Sequence, residues 1–582
     1  MKRLVILITA VICCCLLFAA PIYNMPLTLT QPDGTEFNCF ASGDEYVNWI
    51  HDAEGYIIIQ NPETGYYCYA DTLKDGTLLI SNKKVSIKSR GNIRTFNIEK
   101  YKQNNILTPS RTSIYDFDFI QAQSLMNGEQ VTINNIVIFL RFSDQNEYSN
   151  SDIVTISTKF ADSTENHISL KNYIYKSSFD KLKVNTNFYP QSTTILSYQD
   201  IHPRNYYLPY SAFNPTGYND SERKQREDSL LVRAVNAVKT QIPSNINLDA
   251  DNNNYVDNIT FVVKGDCGAG STLLWPHRWS MLQYCSINNK IVKSYNFQLS
   301  EYIKYYNVGV LCHEFCHTLG APDLYHDLLN SNNELMNPVG NWDVMANTQT
   351  NPQQTSTYIK YKYLHWIDEI PRITHNGTYT LYPITTSTKN SYIIPIPNQT
   401  EFLLLEYRNK THVYDTSIPN SGLLIYRINP DLTGNLNGKE AGGVEDEVYV
   451  YRYGGNINND GNCDIASHYQ GYGGLSFSDV SNPNDFFSDG TLGGVQISNF
   501  GTCGDSITFK VRFCGDHNFI STDVIYDSSN ISSNNGAFNI STTGNITLTE
   551  DISFVAYESI TLNPGFNVPY GIIFDANIIT CE

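Results

Sequence analysis

Hydrophobic and polar positions change their rhythm several times along the chain, and each change predicts a different kind of structure. From residue 21 to about residue 110, short apolar runs alternate with turn signals such as Pro32-Asp33-Gly34. This alternation is typical of short β-strands. Three such strands are predicted at residues 27–30, 56–60 and 66–69. The polar stretch at about residues 100–130 has few periodic apolar positions and is interpreted as a linker.

Helical and strand-like patterns alternate between about residues 130 and 370, which predicts an α/β region. The unbroken apolar run at residues 136–140 predicts a central strand covered on both faces, and residues 258–263 predict a second core strand. Residues 169–181 and 222–241 predict helices, and the second carries its apolar residues on one side.

After Pro371 the pattern changes to short strand-like runs between Asn, Gly and Pro clusters, which favours a β-sandwich. Residues 541–577 alternate apolar and polar side chains with little charge and predict short strands or a small β-solenoid. The chain is therefore predicted to be multidomain. Its predicted parts are a signal peptide at 1–20, a β-rich domain at 21–115, an α/β domain at 116–371, a β-sandwich at 372–515 and a small β-rich tail at 516–582.

The first residues predict export. Lys2 and Arg3 precede an apolar run at residues 4–20 that ends in two alanines, which is the pattern of a secretory signal peptide. A retained N-terminal anchor is the alternative, because a run of this length is marginal for a membrane span. The mature chain is expected to be extracellular without a stable membrane span, and attachment to the cell surface is left open.

Composition and charge narrow the classes of partner. Of the 582 residues, 58 are acidic and 39 are basic, which gives a formal net charge of −19. A field of this sign repels polyanions, so the sequence argues against a nucleic-acid partner. The oligomeric state is not indicated.

Cysteine usage gives a second, weaker signal. Export permits disulfides, and the spacing makes Cys39–Cys68 and Cys267–Cys285 locally plausible pairs, although a sequence alone does not fix pairing. No CxxC pair is present, which argues against a zinc site made only of cysteines.

The stretch that begins at His313 carries the candidate chemistry. His313 and His317 are four residues apart, so a helix places both imidazoles on one face, where they can hold one metal ion. Glu314 projects near the same metal and is expected to hydrogen-bond a metal-bound water. Gly320 allows a sharp turn at the helix end, which would bring Asp323 to the metal as a third ligand. Three protein ligands and one open position are typical of catalytic zinc.

Two further residues bear on this assignment. Met345 follows the motif in the run Trp342-Asp343-Val344-Met345, at the position of the methionine turn of metzincins, where a Met side chain forms a hydrophobic floor beneath the metal. His326 lies just past Asp323 and is a rival for the third ligand, but its distance from the glycine turn fits less well.

These motifs resemble the M6 peptidases, the immune inhibitor A-like secreted bacterial metalloproteases. The run from His313 to Tyr325 is close to that family's HEFGHxLGxPDLY, with Cys316 where the family usually has glycine. The resemblance extends to Trp275-Pro276-His277 and covers most of residues 25–515. It implies a secreted zymogen with a propeptide at residues 21–115, a metzincin-like zinc protease domain and a C-terminal β-sandwich.

The predicted reaction is hydrolysis of peptide bonds in protein or peptide substrates. Zinc held by His313, His317 and Asp323 would activate a water, and Glu314 would act as general base. One alternative is a surface adhesin or glycan-binding protein with a vestigial protease module, and another is a zinc hydrolase that acts on a non-peptide bond. The intact Glu314 argues against the adhesin, because binding alone needs no base.

A second metal is predicted at an acidic loop. Asp249, Asp251, Asn253 and Asp257 place side-chain oxygens at alternate positions, which suits Ca²⁺. The glycine and glutamate that a full EF-hand needs at positions 6 and 12 are absent. A polar turn between a helix and a strand is the alternative interpretation, and the family resemblance favours calcium.

Overall fold

A computed structural model gives the fold of this chain. It describes residues 22–43, 48–61, 64–72, 78–85, 130–267, 273–306, 308–326, 337–396, 399–435, 446–456, 459, 461–468, 476–513 and 524–578. The predicted signal peptide and nearly all of the predicted linker at 100–130 lie outside these residues. The chain divides into two compact units: a first unit of Met1–Asp323, Val344–Gln353 and Lys362–Asp368, and a second of Leu324–Asp343, Gln354–Tyr361 and Glu369–Glu582. The boundaries predicted at residues 115, 371 and 515 remain predictions.

The first unit begins with a six-stranded antiparallel sheet whose strands follow one another in chain order. Its strands are β1 (Ile22–Thr30), β2 (Glu36–Gly43), β3 (Asn48–His51), β4 (Ile57–Gln60), β5 (Tyr67–Thr72) and β6 (Leu78–Lys84). Tight turns at Gly34 and Gly55, both with positive φ, connect neighbouring strands. The buried face of this sheet, which includes Leu27 and Phe37, belongs to the same hydrophobic cluster as the α/β core that follows.

The two predicted disulfides are wrong, because all four cysteines are free thiols. Cys39 lies in β2 and Cys68 in β5, and strands β3 and β4 separate them. Three inter-strand steps of ~4.8 Å exceed the ~7 Å Cα separation that a disulfide can span. Cys267 accepts a hydrogen bond from the Tyr302 hydroxyl at 2.9 Å and does not pair with Cys285.

A mixed sheet forms the centre of the first unit, in the order β11-β14-β10-β7-β8, with β9 beside β7. The predicted core strands are the parallel neighbours β7 and β10, and β11 is the antiparallel edge strand. The strands of this region are β7 (Val131–Arg141), β8 (Leu182–Tyr189), β9 (Tyr198–Gln199), β10 (Asn258–Val263), β11 (His277–Ser280), β12 (Ser286–Ile287), β13 (Lys290–Ile291) and β14 (Ser294–Leu299), of which β12 and β13 form a separate hairpin.

The described helices are few and short for a chain of this length. They are α1 (Asn150–Ala161), α2 (Leu170–Ser177), α3 (Asp220–Val238), α4 (Ser300–Tyr306), α5 (Gly309–Thr318) and α6 (Thr357–Lys362), with 3₁₀ turns at Arg204–Tyr207, Lys239–Gln241, Gly340–Trp342 and Cys463–Ile465. A capping box between Asn219 and Glu222 fixes the start of α3. In the described part of the chain, no helix combines the length and apolarity that a membrane crossing requires.

The second unit contains two four-stranded antiparallel sheets, ordered β15-β22-β21-β20 and β16-β17-β18-β19. Their strands are β15 (Gly377–Leu381), β16 (Ser391–Pro395), β17 (Phe402–Arg408), β18 (Gly422–Ile428), β19 (Val448–Val450), β20 (Ser476–Phe477), β21 (Val495–Ser498) and β22 (Ile507–Phe513). One hydrophobic cluster joins residues of both sheets, such as Leu405 and Phe509. The strands predicted after Pro371 therefore form two sheets around a shared core.

The tail of the chain forms parallel strands with a core of its own. They are β23 (Val524–Tyr526), β24 (Asn534–Thr542), β25 (Ile546–Thr547), β26 (Ile552–Thr561), β27 (Phe566–Asn567) and β28 (Phe574–Ile578). Ile540 pairs with Ile560, and Ile546 pairs with Phe566, so each strand stacks on its counterpart one coil further along. Stacked parallel strands are the arrangement of a small β-solenoid.

Candidate metal centre

Helix α5 carries the two histidines, and every residue of this helix is buried. Its first residue is Gly309, where a Cβ atom would lie 2.1 Å from the carbonyl oxygen of Gln349. Only glycine fits at this close approach, which brings the residue 344–353 segment against the start of the helix. The helix is therefore held at its N-terminal end by the segment that contains Met345.

The chain reverses directly after α5. Gly320 has a φ of +101°, a conformation that glycine adopts readily and other residues rarely do. The Ala321 amide donates to the carbonyl of Cys316 at 3.1 Å, which closes the helix end. The turn predicted from Gly320 is thus present, and it returns the chain towards the two histidines.

His313, His317 and Asp323 converge on one point. The Nε2 atoms of the two histidines are 2.9 Å apart, and Oδ1 of Asp323 lies 3.1 Å from the first and 3.3 Å from the second. All three side chains are fully buried. They are one of two groups of His, Cys, Asp or Glu among the described residues whose ligand atoms lie close enough to hold one metal ion.

Backbone carbonyls fix the orientation of both imidazoles. Nδ1 of His313 lies 2.8 Å from the carbonyl oxygen of Val344, and Nδ1 of His317 lies 2.7 Å from that of Ala321. A carbonyl only accepts, so each Nδ1 must carry the proton and donate it. Both Nε2 atoms are then left with lone pairs directed at Asp323, which is the tautomer that a metal ligand needs.

The electrostatics of the centre act differently on the two imidazoles. Burial lowers the pKa of His317 to about 4, so this imidazole is neutral at neutral pH. Burial also opposes the charged form of His313, but the negative charge of the adjacent Asp323 outweighs it and raises the pKa of His313 above its usual 6.5. The two imidazoles hold the pKa of the Asp323 carboxyl below its ordinary value in spite of burial.

The donor set fits a metal ion better than it fits a metal-free core. Neither carboxylate oxygen of Asp323 has a hydrogen bond of good geometry, although both are buried. A buried carboxylate that lacks hydrogen bonds is costly unless a cation compensates it. Two imidazole nitrogens and one carboxylate oxygen are ligands that Zn²⁺ accepts, and a fourth position would stay open.

Glu314 and Met345, the other two residues of the predicted site, are both buried. Glu314 directly follows His313 on helix α5, and its negative charge contributes to the raised pKa of that imidazole. Met345 is also fully buried and directly follows Val344, the residue whose carbonyl orients His313. The methionine segment therefore adjoins the centre through a hydrogen bond that the sequence motif alone did not predict.

A ladder of buried amides behind the helix was missed in the sequence. The Asn135, Asn258 and Asn296 side chains lie on β7, β10 and β14, and their amides are linked by bonds of 2.7 and 2.8 Å. Thr318, the last residue of α5, donates to Asn258 Oδ1 at 3.0 Å and accepts from Asn296 Nδ2 at 3.2 Å. Asparagines inside otherwise apolar strands were the available signal, and they fix the height of α5 above the sheet.

Three other candidate residues make different contacts. His277 lies between the carbonyl of Trp275 at 2.7 Å and the carboxylate of Glu227 at 2.9 Å. His326, the rival third ligand, pairs with Asp446 through a short contact. The buried Tyr358 hydroxyl donates to Glu447 at 3.0 Å.

The acidic loop brings three of its four predicted ligands together. Asp249, Asp251 and Asp257 offer carboxylate oxygens within 4.8 Å of one another. Oδ1 of Asn253, the fourth, accepts the Tyr255 amide at 2.8 Å. The Lys290 ammonium lies 2.6 Å from Asp249 Oδ2 and compensates part of the negative charge. Burial raises the pKa of Asp249, but hydrogen bonds from the Lys290 ammonium and from the amides of Asn253 and Asn254 outweigh it. The pKa of Asp249 therefore lies below its ordinary value.

Comparison with known proteins gives only distant structural likeness. No protein-family model and no curated protein matches the chain. Among solved structures, wild-type OgpA from Akkermansia muciniphila is 11% identical over 51% of this chain and 75% of its own, with a TM-score of 0.23. Metalloproteinase-II from Bacteroides fragilis is 15% identical over 60% of this chain and 86% of its own, with a TM-score of 0.22. Inactive OgpA in complex with an O-glycopeptide is 9% identical, also with a TM-score of 0.22.

Proposed function

We propose that this chain is a secreted zinc-dependent endopeptidase, made as a zymogen. The observation that carries the proposal is the convergence of His313 Nε2, His317 Nε2 and Asp323 Oδ1, with Glu314 beside them. An accidental HExxH on a surface helix would not bury all four side chains, nor would it direct both Nδ1 atoms at backbone carbonyls. The centre therefore has the composition and the tautomers of a catalytic zinc site.

The residues of the chain divide the work between binding and proton transfer. His313, His317 and Asp323 would hold the ion, and Asp323 adds the negative charge that offsets it. Zinc, when bound, supplies Lewis-acid polarisation of the peptide carbonyl and lowers the pKa of water towards neutrality. Glu314 accepts the proton of the attacking water and delivers it to the leaving amine. Met345 would form the apolar floor of the site.

Latency forms a second part of the proposal. The N-terminal sheet is a folded element of the first unit, and its buried apolar face lies in one hydrophobic cluster with the α/β core. Cys39 of this sheet and Cys267, which follows strand β10, belong to the same buried hydrophobic cluster. A domain seated on the catalytic unit in this way is suited to restrict access to the centre until proteolysis removes it. A permanent accessory domain is the alternative that an activation experiment excludes or supports.

Calcium binding at the acidic loop is proposed as a stabilising feature. Asn252 and Asn254 both have positive φ, so the loop curls around its own carboxylates. Three carboxylates in one small space suit a hard cation. Lys290 occupies part of that space through its contact with Asp249, so calcium must compete with the ammonium group.

The experiment that tests the function combines metal analysis with cleavage. The mature chain is purified, its zinc content is measured, and casein hydrolysis is followed with chelator and after zinc is returned. One zinc per chain with chelator-sensitive, zinc-restored hydrolysis supports the protease. Bound zinc without hydrolysis of casein or of a peptide library favours the adhesin. Hydrolysis of ester or glycan substrates in preference to peptides would identify a different zinc hydrolase.

A further inference from the structure

Arg408, at the end of strand β17, is a buried arginine in the second unit that the proposed chemistry does not use. Its side chain is fully buried, and its Nη1 donates to the carbonyl of Trp342 at 2.6 Å. Its Nη2 donates to the carbonyl of Gln354 at 3.2 Å. One guanidinium therefore binds the backbone on both sides of the segment that runs from residue 343 to residue 353.

That segment contains the backbone acceptor of a metal ligand. Val344 lies two residues after Trp342, and its carbonyl receives the Nδ1 proton of His313 at 2.8 Å. Met345 follows directly. A displacement of the segment ends by a fraction of an ångström changes where this carbonyl lies, and with it the direction of the His313 Nε2 lone pair. The partners that orient a metal-binding histidine in this way tune metal affinity.

The surroundings of Arg408 hold the guanidinium in one orientation. Its Nε donates to Asp415 Oδ2 at 3.1 Å, and its Nη1 also donates to Glu406 Oε1 at 3.2 Å. The same strand reaches the segment that follows, because Glu406 accepts the amide of Thr357 at 2.8 Å. Asp343 adds an independent fixation, since its Oδ2 accepts the amide of Ser356 at 2.7 Å.

We propose that Arg408 is a positioning residue for the metal centre. It acts by binding the carbonyls of Trp342 and Gln354, which lie at the two ends of the 343–353 segment. This inference rests on the proposed zinc site, and the link from Arg408 to Val344 runs through the two peptide bonds that follow Trp342. An arginine is required because its planar fork presents parallel N–H donors to two carbonyls, whereas a lysine ammonium is a compact point donor on a flexible stem.

The chain offers a matched control in Arg427, on the neighbouring strand β18. Arg427 is also fully buried, and its Nε lies 3.5 Å from Glu401. Its guanidinium lies over the rings of Tyr449 and Phe486, and the described contacts keep it within the two-sheet region. Arg427→Lys therefore makes the same chemical change at the same burial, away from the 343–353 segment.

The test compares Arg408→Lys with Arg427→Lys in the full chain. Hydrogen–deuterium exchange of the peptide that covers residues 344–353 is measured in metal-free protein, and zinc affinity is measured by chelator competition. The absorption spectrum of the Co²⁺-loaded protein reports ligand geometry. For Arg408→Lys we expect faster exchange of that peptide, zinc affinity lower by about tenfold or more and a changed Co²⁺ spectrum. For Arg427→Lys we expect a change in melting temperature only, with exchange, zinc affinity and the Co²⁺ spectrum like those of the wild type.

A second pair keeps the inference falsifiable if Arg408→Lys does not melt cooperatively. Asp415→Asn is nearly isosteric and weakens the hold on Arg408, and Glu401→Gln is its counterpart beside Arg427. Equal exchange at 344–353 and equal zinc affinity within each pair would overturn the positioning role. The exchange measurement needs no metal, so it shows whether Arg408 restrains the 344–353 segment even if the wild-type chain binds no zinc. Absence of zinc binding in the wild type would refute the proposed function, not the restraint by Arg408.

Discussion

Asp323 Oδ1 lies 3.1 Å from Nε2 of His313, although the end of a helix and a reversal of the chain separate the two residues. Gly320 makes this approach possible, because its positive φ directs the chain back beneath the helix. His326, three residues beyond Asp323, is held by Asp446 instead. The carboxylate of Asp323, not the imidazole of His326, is thus the group that lies beside the two histidines of helix α5.

The first prediction follows from that geometry. Asp323→Ala removes the only carboxylate in the three-residue group and should weaken zinc binding by more than about 100-fold. Loss of a residue that merely hydrogen-bonds a metal ligand already lowers metal affinity by ~10–100-fold, so loss of a ligand should cost more. His326→Ala should leave the affinity close to that of the wild type. A chelator-competition titration of both variants decides between them. The reverse order of affinities would mean that the third ligand is misassigned.

The second prediction concerns the acidic loop. Calcium should raise the melting temperature of the metal-free protein, because a ligand that binds only the folded state stabilises that state. The gain is about 2.7 kcal/mol when the ligand concentration is 100 times its dissociation constant. Asp251→Ala should abolish this shift. Lys290→Gln should strengthen calcium binding, since it removes the ammonium that contacts Asp249. A melting temperature that calcium leaves unchanged would identify the loop as a polar turn.

The third prediction uses a buried lysine in the second unit. Burial lowers the pKa of Lys360 to about 7, despite the nearby carboxylates of Glu406 and Asp415. An unfolded lysine titrates near ~10.4, so between these values the unfolded chain binds more protons and the folded state gains stability as the pH rises.

Thermal melts from about pH 7 to about pH 8.5 check this sign. The wild type should become more stable relative to Lys360→Met as the pH increases. Lys410→Met, which changes an exposed lysine of the same unit, provides the control and should show no such trend relative to the wild type. A constant difference between wild type and Lys360→Met would mean that Lys360 stays charged in the folded chain.

The fourth prediction is latency. The intact chain should be nearly inactive, and cleavage between residues 100 and 130 should raise its specific activity by at least about tenfold, because polar linkers of this kind are preferred sites of nicking. The buried face of the N-terminal sheet lies in one hydrophobic cluster with the α/β core, so full activation should require its dissociation after the cut. Equal specific activity of the intact and clipped chains would make the sheet a permanent accessory domain.

Local patterns predicted the elements that lie closest to the candidate chemistry. The apolar runs at residues 136–140 and 258–263 lie within strands β7 and β10, because an unbroken apolar strand must be buried on both faces. The convergence of His313, His317 and Asp323 is likewise a matter of helical spacing and one glycine turn. Such features need only neighbours in sequence.

Features that depend on strand order were not predictable in the same way. The Cys39–Cys68 prediction failed because nearness in sequence does not place β2 beside β5. The pairing of Ile546 with Phe566 in the tail likewise depends on the fold, because the alternation of apolar and polar residues predicts strands but not their partners. The amides of Asn258 and Asn296 and the guanidinium of Arg408 act through partners that are distant in sequence, so only the fold reveals what they hold.

The most direct test of the account is one measurement on Glu314→Gln: zinc content and peptide cleavage determined on the same sample. The substitution keeps the size of the side chain and removes its basicity. Because Glu314 is assigned as the base and not as a ligand, the account predicts one zinc per chain and a rate lower by about 10²–10⁴-fold. Full activity with zinc bound would contradict the assigned mechanism, and loss of the zinc would make Glu314 part of the metal site itself.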